Sequence, residues 1–187
     1  MAQTAAQTAK PVLKGPRITL RDAEPKDVAA RFALGNSVEI QKMFGAEPSQ
    51  VRPITEHAAE AWVENQRAEP YAWVIENENG ALLGAIRIHS VNHADMRANL
   101  AVGILNESEL GKGYGTEAIR VLAAHAFDTM GLHRLSCRVL AFNTRAVAAY
   151  KKLGFVEEGR ERQSARIGNT WEDDVIMGLL AQDLERD

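Results

Sequence analysis

The stretch that most constrains the fold is a glycine-rich segment at residues 110–130 that opens directly into a helical pattern. Glycines occupy alternate positions at Gly111, Gly113 and Gly115, and apolar residues then recur at the spacing of an amphipathic helix. A run typical of a strand, residues 100–105, comes just before. A strand, a glycine loop and a helix direct the unpaired N–H groups of the first helical turn towards one point, where the helix dipole favours an anion. The segment therefore predicts a loop that binds phosphate or pyrophosphate.

Two familiar nucleotide-binding patterns fit this loop poorly. A P-loop requires a Gly-Lys pair followed by Ser or Thr, with a further glycine upstream, whereas Lys112 is followed by Gly113. The dinucleotide fingerprint requires a glycine three residues after Gly113, where this chain has Thr116, and it belongs near the start of a βαβ unit. The residues of this loop alone leave open a second interpretation, in which it binds nothing and merely precedes a helix.

The composition is that of one globular domain. The chain has 187 residues, of which 45% are hydrophobic and 25% charged, and its net charge is -3. This charge gives no basis for binding nucleic acid or an anionic membrane surface, and no apolar run reaches the roughly 18 residues of a membrane span. The first ten residues lack a signal-peptide core, and the single cysteine, Cys137, cannot form an internal disulfide. We therefore predict a cytoplasmic protein with a disordered tail at residues 1–14 and one domain at residues 15–187.

The apolar pattern predicts a mixture of helices and strands around the glycine loop. Besides the helix after the loop, the expected helices lie at residues 25–35, 55–69 and 143–153. Thr55 is the expected N-cap of the second of these. The expected strands lie at residues 17–21, 71–76, 81–91, 98–105, 134–140, 155–162 and 171–180. Residues 36–53 are expected to hold only a short helical piece and a loop, because one glycine and two prolines interrupt them.

A second segment, residues 143–155 with the sequence NTRAVAAYKKLGF, resembles the second signature of the GNAT acetyltransferase superfamily. Asn143 and Tyr150 occupy the asparagine and tyrosine positions of that signature. The glycine loop resembles the pyrophosphate loop of the same superfamily, although Leu110 stands where glutamine or arginine is usual. The run GKGYGTEA is similar to the branch that acetylates the N-termini of ribosomal proteins, and spermidine acetyltransferases are a sister group. The resemblance covers residues 17–180.

This resemblance implies a single α/β domain with a mixed, mostly antiparallel, seven-stranded sheet and about four flanking helices. A V-shaped cleft in the sheet would hold acetyl-CoA as co-substrate, and no metal is implied. The strand before the loop would pair with the pantetheine arm of acetyl-CoA, and the loop would hold its pyrophosphate. The residues that would bind acetyl-CoA are Val102, Gly103, Ile104, Leu105, Gly111, Lys112, Gly113, Tyr114, Gly115, Thr116 and Asn143.

By the same resemblance, Tyr150 is the general acid. A phenol with a pKa of about 10 is protonated at neutral pH and can donate to a departing thiolate, whose thiol has a pKa of about 8.5. Many relatives carry a glutamate as general base in the strand before the loop, but the nearest position here is Asn99, which cannot accept a proton at neutral pH. A chain of water molecules is one alternative base. The nearby side chains that stay open as bases are Asp95, His89, His93 and Glu109.

A site without a strong base favours an amine that is already partly neutral. An α-amine with a pKa of about 8 is roughly one quarter neutral at pH 7.5, whereas a lysine-type amine with a pKa of about 10.4 is neutral about one time in a thousand. We therefore expect an N-acetyltransferase that acts by direct transfer on the N-terminal α-amine of a protein or peptide. A small amine, such as a polyamine or antibiotic, is the alternative acceptor, and a catalytically weak acyl-CoA-binding module is a further interpretation. A homodimer is compatible with the sequence, which does not determine the oligomeric state.

Several other residues have structural or acceptor-side interpretations. The pair His89 and His93 lacks a third ligand at a familiar spacing, so we do not expect a metal site. Cys137 falls on the apolar side of a strand and is expected in the core rather than as a nucleophile. The residues expected to line the acceptor side are Met43, Phe44, Glu47, Trp171 and Asp173.

Overall fold

The computed structural model describes residues 10–186, and the structural statements below concern these residues. Its helices are α1 (Asp27–Leu34), α2 (Val38–Met43), α3 (Glu56–Ala68), α4 (Tyr114–Asp128) and α5 (Thr144–Lys151). Its strands are β1 (Leu13–Lys14), β2 (Ile18–Arg21), β3 (Ala72–Asn77), β4 (Leu82–Asn92), β5 (Arg97–Ile104), β6 (Arg134–Leu140), β7 (Val156–Ile167) and β8 (Thr170–Leu180). Short 3₁₀ turns lie at Pro48–Gln50, Glu107–Glu109 and Ala181–Asp183.

The strands form one open sheet in the order β1-β2-β3-β4-β5-β6-β8-β7. Neighbouring strands are antiparallel except β5 and β6, which run parallel. These two strands pair only at their beginnings, where residues 97–99 face residues 134–136. Beyond that point the two strands have no mutual pairs, so the sheet opens as a V between residues 100–104 of β5 and 137–140 of β6.

The two faces of the sheet are covered unequally. α4 and α5 cover one face, called the α4 face below, over a large continuous core that includes Trp73, Leu122 and Met177. α1 and α3 pack together on the opposite face, called the α3 face, over a much smaller cluster. Because side chains alternate along a strand, Trp73 of β3 lies in the first core and its neighbour Val74 in the second. The buried members of the smaller cluster are Ala23, Val63, Val74 and Leu82.

The helices form where the sequence predicts them, for local reasons. α4 buries Ala118, Ile119, Leu122 and Ala126 at the spacing of one helical face. α3 begins at the expected cap, where the Thr55 hydroxyl accepts a hydrogen bond from the N–H of Ala58 at 3.1 Å and satisfies one free donor of the first turn.

The predicted fold class is confirmed, with one more strand and one more helix than expected. The additional strand is β1, whose Leu13 and Lys14 pair with Leu20 and Thr19 of β2. Ordered structure therefore begins before the predicted boundary at residue 15, because sheet pairing extends to a segment whose composition indicates a tail. Residues 1–9 of that predicted tail lie outside the described residues. Helix α2 accounts for the short helical piece expected within residues 36–53.

A buried ion pair fixes α1 to the sheet. Arg21 of β2 donates from Nη1 and Nη2 to the two carboxylate oxygens of Asp27, each at 2.8 Å, and from Nε to Glu76 at 2.7 Å. Burial alone would raise the pKa of Asp27, but the hydrogen bonds from Arg21 and from the N–H of Glu24 outweigh it and lower the pKa. The ion pair of Arg21 and Asp27, called the polar anchor below, therefore attaches α1 to the α3 face beside the small apolar cluster.

Within residues 10–186, no helix is both long enough and apolar enough to cross a membrane. The cytoplasmic location stays a prediction, as does the oligomeric state.

Candidate active site

A cavity of about 290 Å³ lies where β5 and β6 diverge. Its walls come from α2, from β5, from the loop that leads into α4, and from α5. The predicted site residues that line it are Val102, Gly103, Ile104, Gly111, Gly113, Tyr114, Gly115, Thr116, Asn143 and Tyr150. The fold therefore brings the strand, the glycine loop and the second motif together around one space.

Two predicted cofactor-binding residues, Leu105 and Lys112, do not line this cavity. The N–H of Leu105 donates to the carbonyl of Leu83 at 2.7 Å, so the chain after β5 stays paired with the β4 side of the V. The Nζ of Lys112 pairs with the Glu109 carboxylate at 3.0 Å, and about half of its side chain is exposed. The geometry gives no support for a cofactor contact by either side chain.

The glycine loop has a backbone that favours glycine. Gly111 and Gly113 have φ values of 78° and 89°, in the left-handed region that other residues adopt only with strain. The helix α4 begins directly after Gly113. Gly115 has no positive φ, and a Cβ at this position would lie 3.6 Å from Ile104, an ordinary contact. The first two glycines are therefore needed to turn the chain, whereas the backbone and surroundings of Gly115 do not require a glycine.

The N-terminus of α4 lacks a side-chain cap. α2, α3 and α5 are capped by the side chains of Ser37, Thr55 and Asn143, each of which accepts a hydrogen bond from a first-turn N–H. The residue at the corresponding position of α4 is Gly113, which has no side chain to accept one. The free donors and the positive end of the helix dipole therefore face the cavity, an arrangement suited to an anionic group.

Tyr150 is buried, with 4% of its surface exposed, and it lines the cavity from α5. Its ring packs edge-on against Phe155, with 5.0 Å between the ring centroids. Burial raises the pKa of Tyr150 well above its ordinary value, and the neighbouring Cys137 raises it further. Tyr150 therefore keeps its proton at neutral and moderately alkaline pH.

Cys137 lies in the main core, as expected, with 5% of its surface exposed. Burial raises the pKa of its thiol to about 12, and the neighbouring Tyr150 offsets only part of this rise. The thiolate, which is the nucleophilic form, is therefore scarce at neutral pH.

Asn143 occupies the N-cap of α5, where its Oδ1 accepts a hydrogen bond from the N–H of Ala146 at 3.2 Å. The residue also lines the cavity. Its Nδ2 group has no hydrogen bond within the described residues, which leaves a donor for a cavity ligand.

Asn99 is the last residue of β5 that pairs with β6, and it lies opposite Ser136 at the apex of the V. On its other side it faces His89 of β4. Burial lowers the pKa of His89, and the neighbouring charge of Arg87 lowers it further. His89 is therefore neutral at pH 7 and able to accept a proton.

His89 does not line the cavity, and the other three candidate bases have partners or positions that also do not favour a role as base. Glu109 lines the cavity, but its carboxylate pairs with Lys112. The Asp95 carboxylate accepts a hydrogen bond from Asn92 at 2.8 Å and pairs with Arg97 at 3.3 Å in the turn between β4 and β5. His93 is exposed on the same turn.

Two cations of α5 that the sequence analysis did not single out, Arg145 and Lys152, also line the cavity. They are two helical turns apart and share one face of α5. Neither side chain has a hydrogen bond or an ion pair within residues 10–186. Their spacing on the predicted helix was the signal that could have identified them.

A second hollow, of about 220 Å³, lies on the other side of β5 and shares Phe44, Val102 and Gly103 with the cavity. Phe44 packs against Gly103 so closely that a Cβ there would lie 2.9 Å from the ring. The remaining lining residues come from α3, β4 and β5. They are Trp62, Gln66, Ala85, Ile86, Arg87, Ala101 and Leu105. Among all these described residues Arg87 is the one ionisable side chain, so the hollow carries no carboxylate.

The structure brings only part of the expected acceptor side to these spaces. Met43 and Phe44 line the cavity, whereas Glu47, Trp171 and Asp173 line neither space. Glu47 instead reaches the turn between β7 and β8, where its carboxylate fills the space beside Gly168. Trp171 is exposed on β8, and the Asp173 carbonyl accepts a hydrogen bond from the N–H of Ala141, directly after β6, at 2.8 Å.

The part of the chain that the structure describes contains no group of three or more His, Cys, Asp or Glu side chains that could hold a metal ion.

The family model for the acetyltransferase (GNAT) domain matches residues 17–156. The Bacillus subtilis protein named "Putative ribosomal N-acetyltransferase YdaF" is 29% identical over 177 residues, covering 90% of this chain and 93% of the relative. The spermidine N(1)-acetyltransferase of Vibrio cholerae is 25% identical over 164 residues, covering 88% of this chain and 93% of the relative.

Solved structures show the same fold. A GNAT-family acetyltransferase from Bacillus anthracis has a TM-score of 0.78 at 22% identity, covering 92% of this chain and 99% of that structure. The Vibrio cholerae spermidine N-acetyltransferase in complex with CoA and spermine has a TM-score of 0.75 at 23% identity, covering 90% of this chain and 98% of that structure. Together with the match of the family model over most of the chain, they show that this chain is an N-acetyltransferase of the GNAT family.

Proposed function

We propose that this acetyltransferase moves the acetyl group of acetyl-CoA directly to the N-terminal α-amine of a protein or peptide. The observation that supports the proposal is the cavity in the V of the sheet, which the uncapped N-terminus of α4 and the buried Tyr150 both line. The end of the cavity at the N-terminus of α4 suits the pyrophosphate of acetyl-CoA. The end at Tyr150 suits the CoA thiol that must leave.

The donor would be held largely by backbone groups. The first-turn N–H groups of α4 would bind the pyrophosphate. β5 has free peptide groups beyond Asn99, because β6 has diverged, and these would pair with the amides of the pantetheine arm. Asn143 would add its free amide donor. Arg145 and Lys152 would attract the remaining phosphate charge of the CoA nucleotide, since neither is neutralised by a partner among residues 10–186.

Tyr150 would act as the general acid. The neutral amine attacks the thioester carbonyl carbon, the C–S bond breaks, and the CoA sulfur takes the proton of the Tyr150 hydroxyl. The proton that the amine nitrogen loses passes to solvent, and the tyrosine regains its own proton from solvent. The raised pKa of Tyr150 keeps its protonated, active form present across the physiological range.

The acceptor would enter from the hollow on the α3 face, because this hollow meets the donor cavity at Phe44, Val102 and Gly103. A polyamine carries several positive charges and would need carboxylates along its path. The hollow instead carries Arg87 and is otherwise apolar or amide-lined. Such a lining suits the single amine and the neutral backbone of a peptide N-terminus.

A small polyamine is the second candidate acceptor. The observation that favours it is the similarity to the Vibrio cholerae spermidine N(1)-acetyltransferase over most of both chains. The absence of carboxylates from the described hollow is the observation against it.

An acceptor panel in a thiol-release assay tests the proposal. The panel contains peptides with a free α-amine, the same peptides with a blocked N-terminus and a free lysine, and spermidine. We expect CoA release with the free N-termini and little with the other two classes. Turnover with spermidine alone would replace the proposal by the second candidate. Acetyl-CoA binding without turnover on any amine would indicate a binding module.

A further inference from the structure

We propose that Arg17 is a positioning residue for the glycine loop. In this role it neutralises the buried carboxylate of Glu117, so that the N-terminus of α4 stays attractive to an anion. The inference rests on the proposed binding of acetyl-CoA pyrophosphate at that loop. It assigns a role to a residue 100 positions before its partner, outside both sequence motifs.

The carboxylate of Glu117 is held almost entirely by Arg17. Glu117 lies in the first turn of α4 and is 6% exposed. Its Oε1 accepts a hydrogen bond from the backbone N–H of Arg17 at 2.7 Å, and its Oε2 accepts one from Nε at 2.9 Å. A Cβ on Gly15 would lie 2.7 Å from Oε1, so the chain before β2 closes directly over the carboxylate. No other charged side chain neutralises Glu117 within residues 10–186.

The same guanidinium holds the loop itself. Nη1 of Arg17 donates to the carbonyl of Lys112 at 3.0 Å. The guanidinium carbon lies 4.8 Å from the centroid of the Tyr114 ring, in cation–π geometry. Nη2 lies 3.2 Å from the place where a Cβ on Gly113 would stand. Arg17 therefore contacts three consecutive loop positions as well as the first turn of α4.

The placement of Glu117 creates an electrostatic conflict that Arg17 removes. A carboxylate in the first turn competes with an anionic ligand for the positive end of the helix dipole. Because Glu117 is buried, water and salt would screen its charge poorly. The Arg17 charge cancels it from behind the glycine loop, because the guanidinium contacts Lys112 and Tyr114 while Arg17 itself does not line the cavity. Arg17 would therefore act on the cofactor through the loop and Glu117.

A charge-cancelling role and a purely mechanical tether predict different results in a double-variant experiment. The variants are Arg17→Met, Glu117→Gln and the two combined, and calorimetric titration of acetyl-CoA measures their affinity. We expect Arg17→Met to weaken acetyl-CoA binding about tenfold, as a buried like charge near a helix N-terminus should. Glu117→Gln alone should bind at least as tightly as the unchanged protein. The double variant should recover most of the loss, because the uncompensated charge is gone.

Comparing KM for acetyl-CoA with kcat distinguishes a positioning role of Arg17 from a merely structural one. Arg17→Met should raise KM for acetyl-CoA while kcat at saturating acetyl-CoA stays within about twofold, since Tyr150 is untouched. Arg17→Lys restores the charge with fewer hydrogen bonds and should rescue most of the affinity. Arg120→Met is the matched control. It removes a cation from α4 itself, where the Nε of Arg120 donates to the Glu185 carbonyl, and should leave KM unchanged.

Two outcomes would overturn the inference. A double variant as weak as Arg17→Met, with both folded by circular dichroism, would show that charge cancellation is not the role of Arg17. Equal affinity of Arg17→Met and the unchanged protein would show that Arg17 has no role in binding. If Arg17→Met does not fold, Glu117→Gln and Arg17→Lys decide the question, and weakened binding by Glu117→Gln would overturn the inference. Absence of binding by the unchanged protein would instead refute the proposed function.

Discussion

The α4 face and the α3 face of the sheet differ in how they are closed. The α4 face has the large core, the glycine loop and a buried Tyr150, all continuous with one another. The α3 face has a small apolar cluster, a polar anchor at Arg21 and Asp27, and a hollow bordered by the half-exposed ring of Phe44. The large core therefore lies behind the proposed donor cavity, whereas the proposed acceptor hollow borders the smaller cluster.

The largest expected effect is on the α4 face, at the proposed acid. Tyr150→Phe keeps the ring and its packing but removes the proton that the thiolate needs. We expect kcat to fall about 10²- to 10³-fold, with the affinity for acetyl-CoA unchanged. Thiol release and calorimetry measure the two quantities. Unchanged turnover would remove Tyr150 from its proposed role.

The pH profile of the unchanged protein sharpens the same assignment. An acid is active in its protonated form, so a raised pKa moves the loss of activity to higher pH. We expect the rate to rise as the acceptor amine becomes neutral near pH 8 and to stay level up to about pH 10. A fall centred near pH 8.5 would contradict the raised pKa of Tyr150.

The next largest effect is expected on the free energy of unfolding, through the polar anchor of the α3 face. Asp27→Asn leaves the buried guanidinium of Arg21 without its main partner and should cost about 3 kcal/mol in the free energy of unfolding. Because the pKa of Asp27 is lowered in the folded state, its contribution is present above the unfolded pKa of about 3.9. It is lost as the pH falls through the folded value. Urea denaturation at neutral and acid pH measures both effects.

Asp128→Asn is the matched control for that experiment. Asp128 pairs with Arg186 through two hydrogen bonds at 2.8 and 2.9 Å, but the pair is exposed on the surface. Its removal should change stability little, because water replaces the lost contacts. If both variants lose the same stability, the buried pair is not the anchor of the α3 face.

A smaller effect is expected at the glycine loop. Gly113→Ala places a side chain at a φ of 89° and puts its Cβ 3.2 Å from Arg17, so the loop must strain or shift. Strain of about 1–2 kcal/mol corresponds to roughly a tenfold weaker affinity for acetyl-CoA, while KM for the acceptor should not change. Gly159→Ala, at an open position of β7 without a positive φ, is the control. A changed KM for the acceptor would show that the glycine loop also affects acceptor binding, which would contradict the separation of donor and acceptor between the two faces.

The smallest effect is expected from the cations of α5. Exchanging Arg145 and Lys152 together for Gln should weaken acetyl-CoA binding about fivefold at low salt, and less at high salt, because exposed charges are screened. Acetyl-dephospho-CoA, which lacks one phosphate, provides the comparison. If the double exchange weakens both ligands equally, these cations do not bind that phosphate.

The sequence predicts the α4 face well, because its features are local. The φ requirement of Gly113, the apolar spacing of α4 and the cap at Asn143 each depend on residues a few positions apart. The second motif places Tyr150 two turns after that cap, on the face of α5 that meets the cavity. Local spacing and helix geometry are sufficient for these features.

The α3 face and the closure of the loop could not be predicted, because they depend on distant contacts. Arg17 reaches Glu117 across 100 positions, and no local pattern marks either residue. The hollow beside Phe44 exists only because α3 and β4 meet there. The position of Glu47 in the chain led us to expect it at the acceptor side. Its carboxylate instead contacts Gly168 in the turn between β7 and β8, which is distant in sequence.

In the proposed function, donor and acceptor are bound together, on opposite sides of β5, when the acetyl group moves. Initial rates with the best peptide acceptor, measured while both substrate concentrations vary, test whether both substrates are bound at once. Intersecting lines in double-reciprocal plots are expected, because direct transfer requires both substrates to be bound at once. Parallel lines would indicate an acetylated enzyme as intermediate and would contradict the account, including the inert, buried state of Cys137.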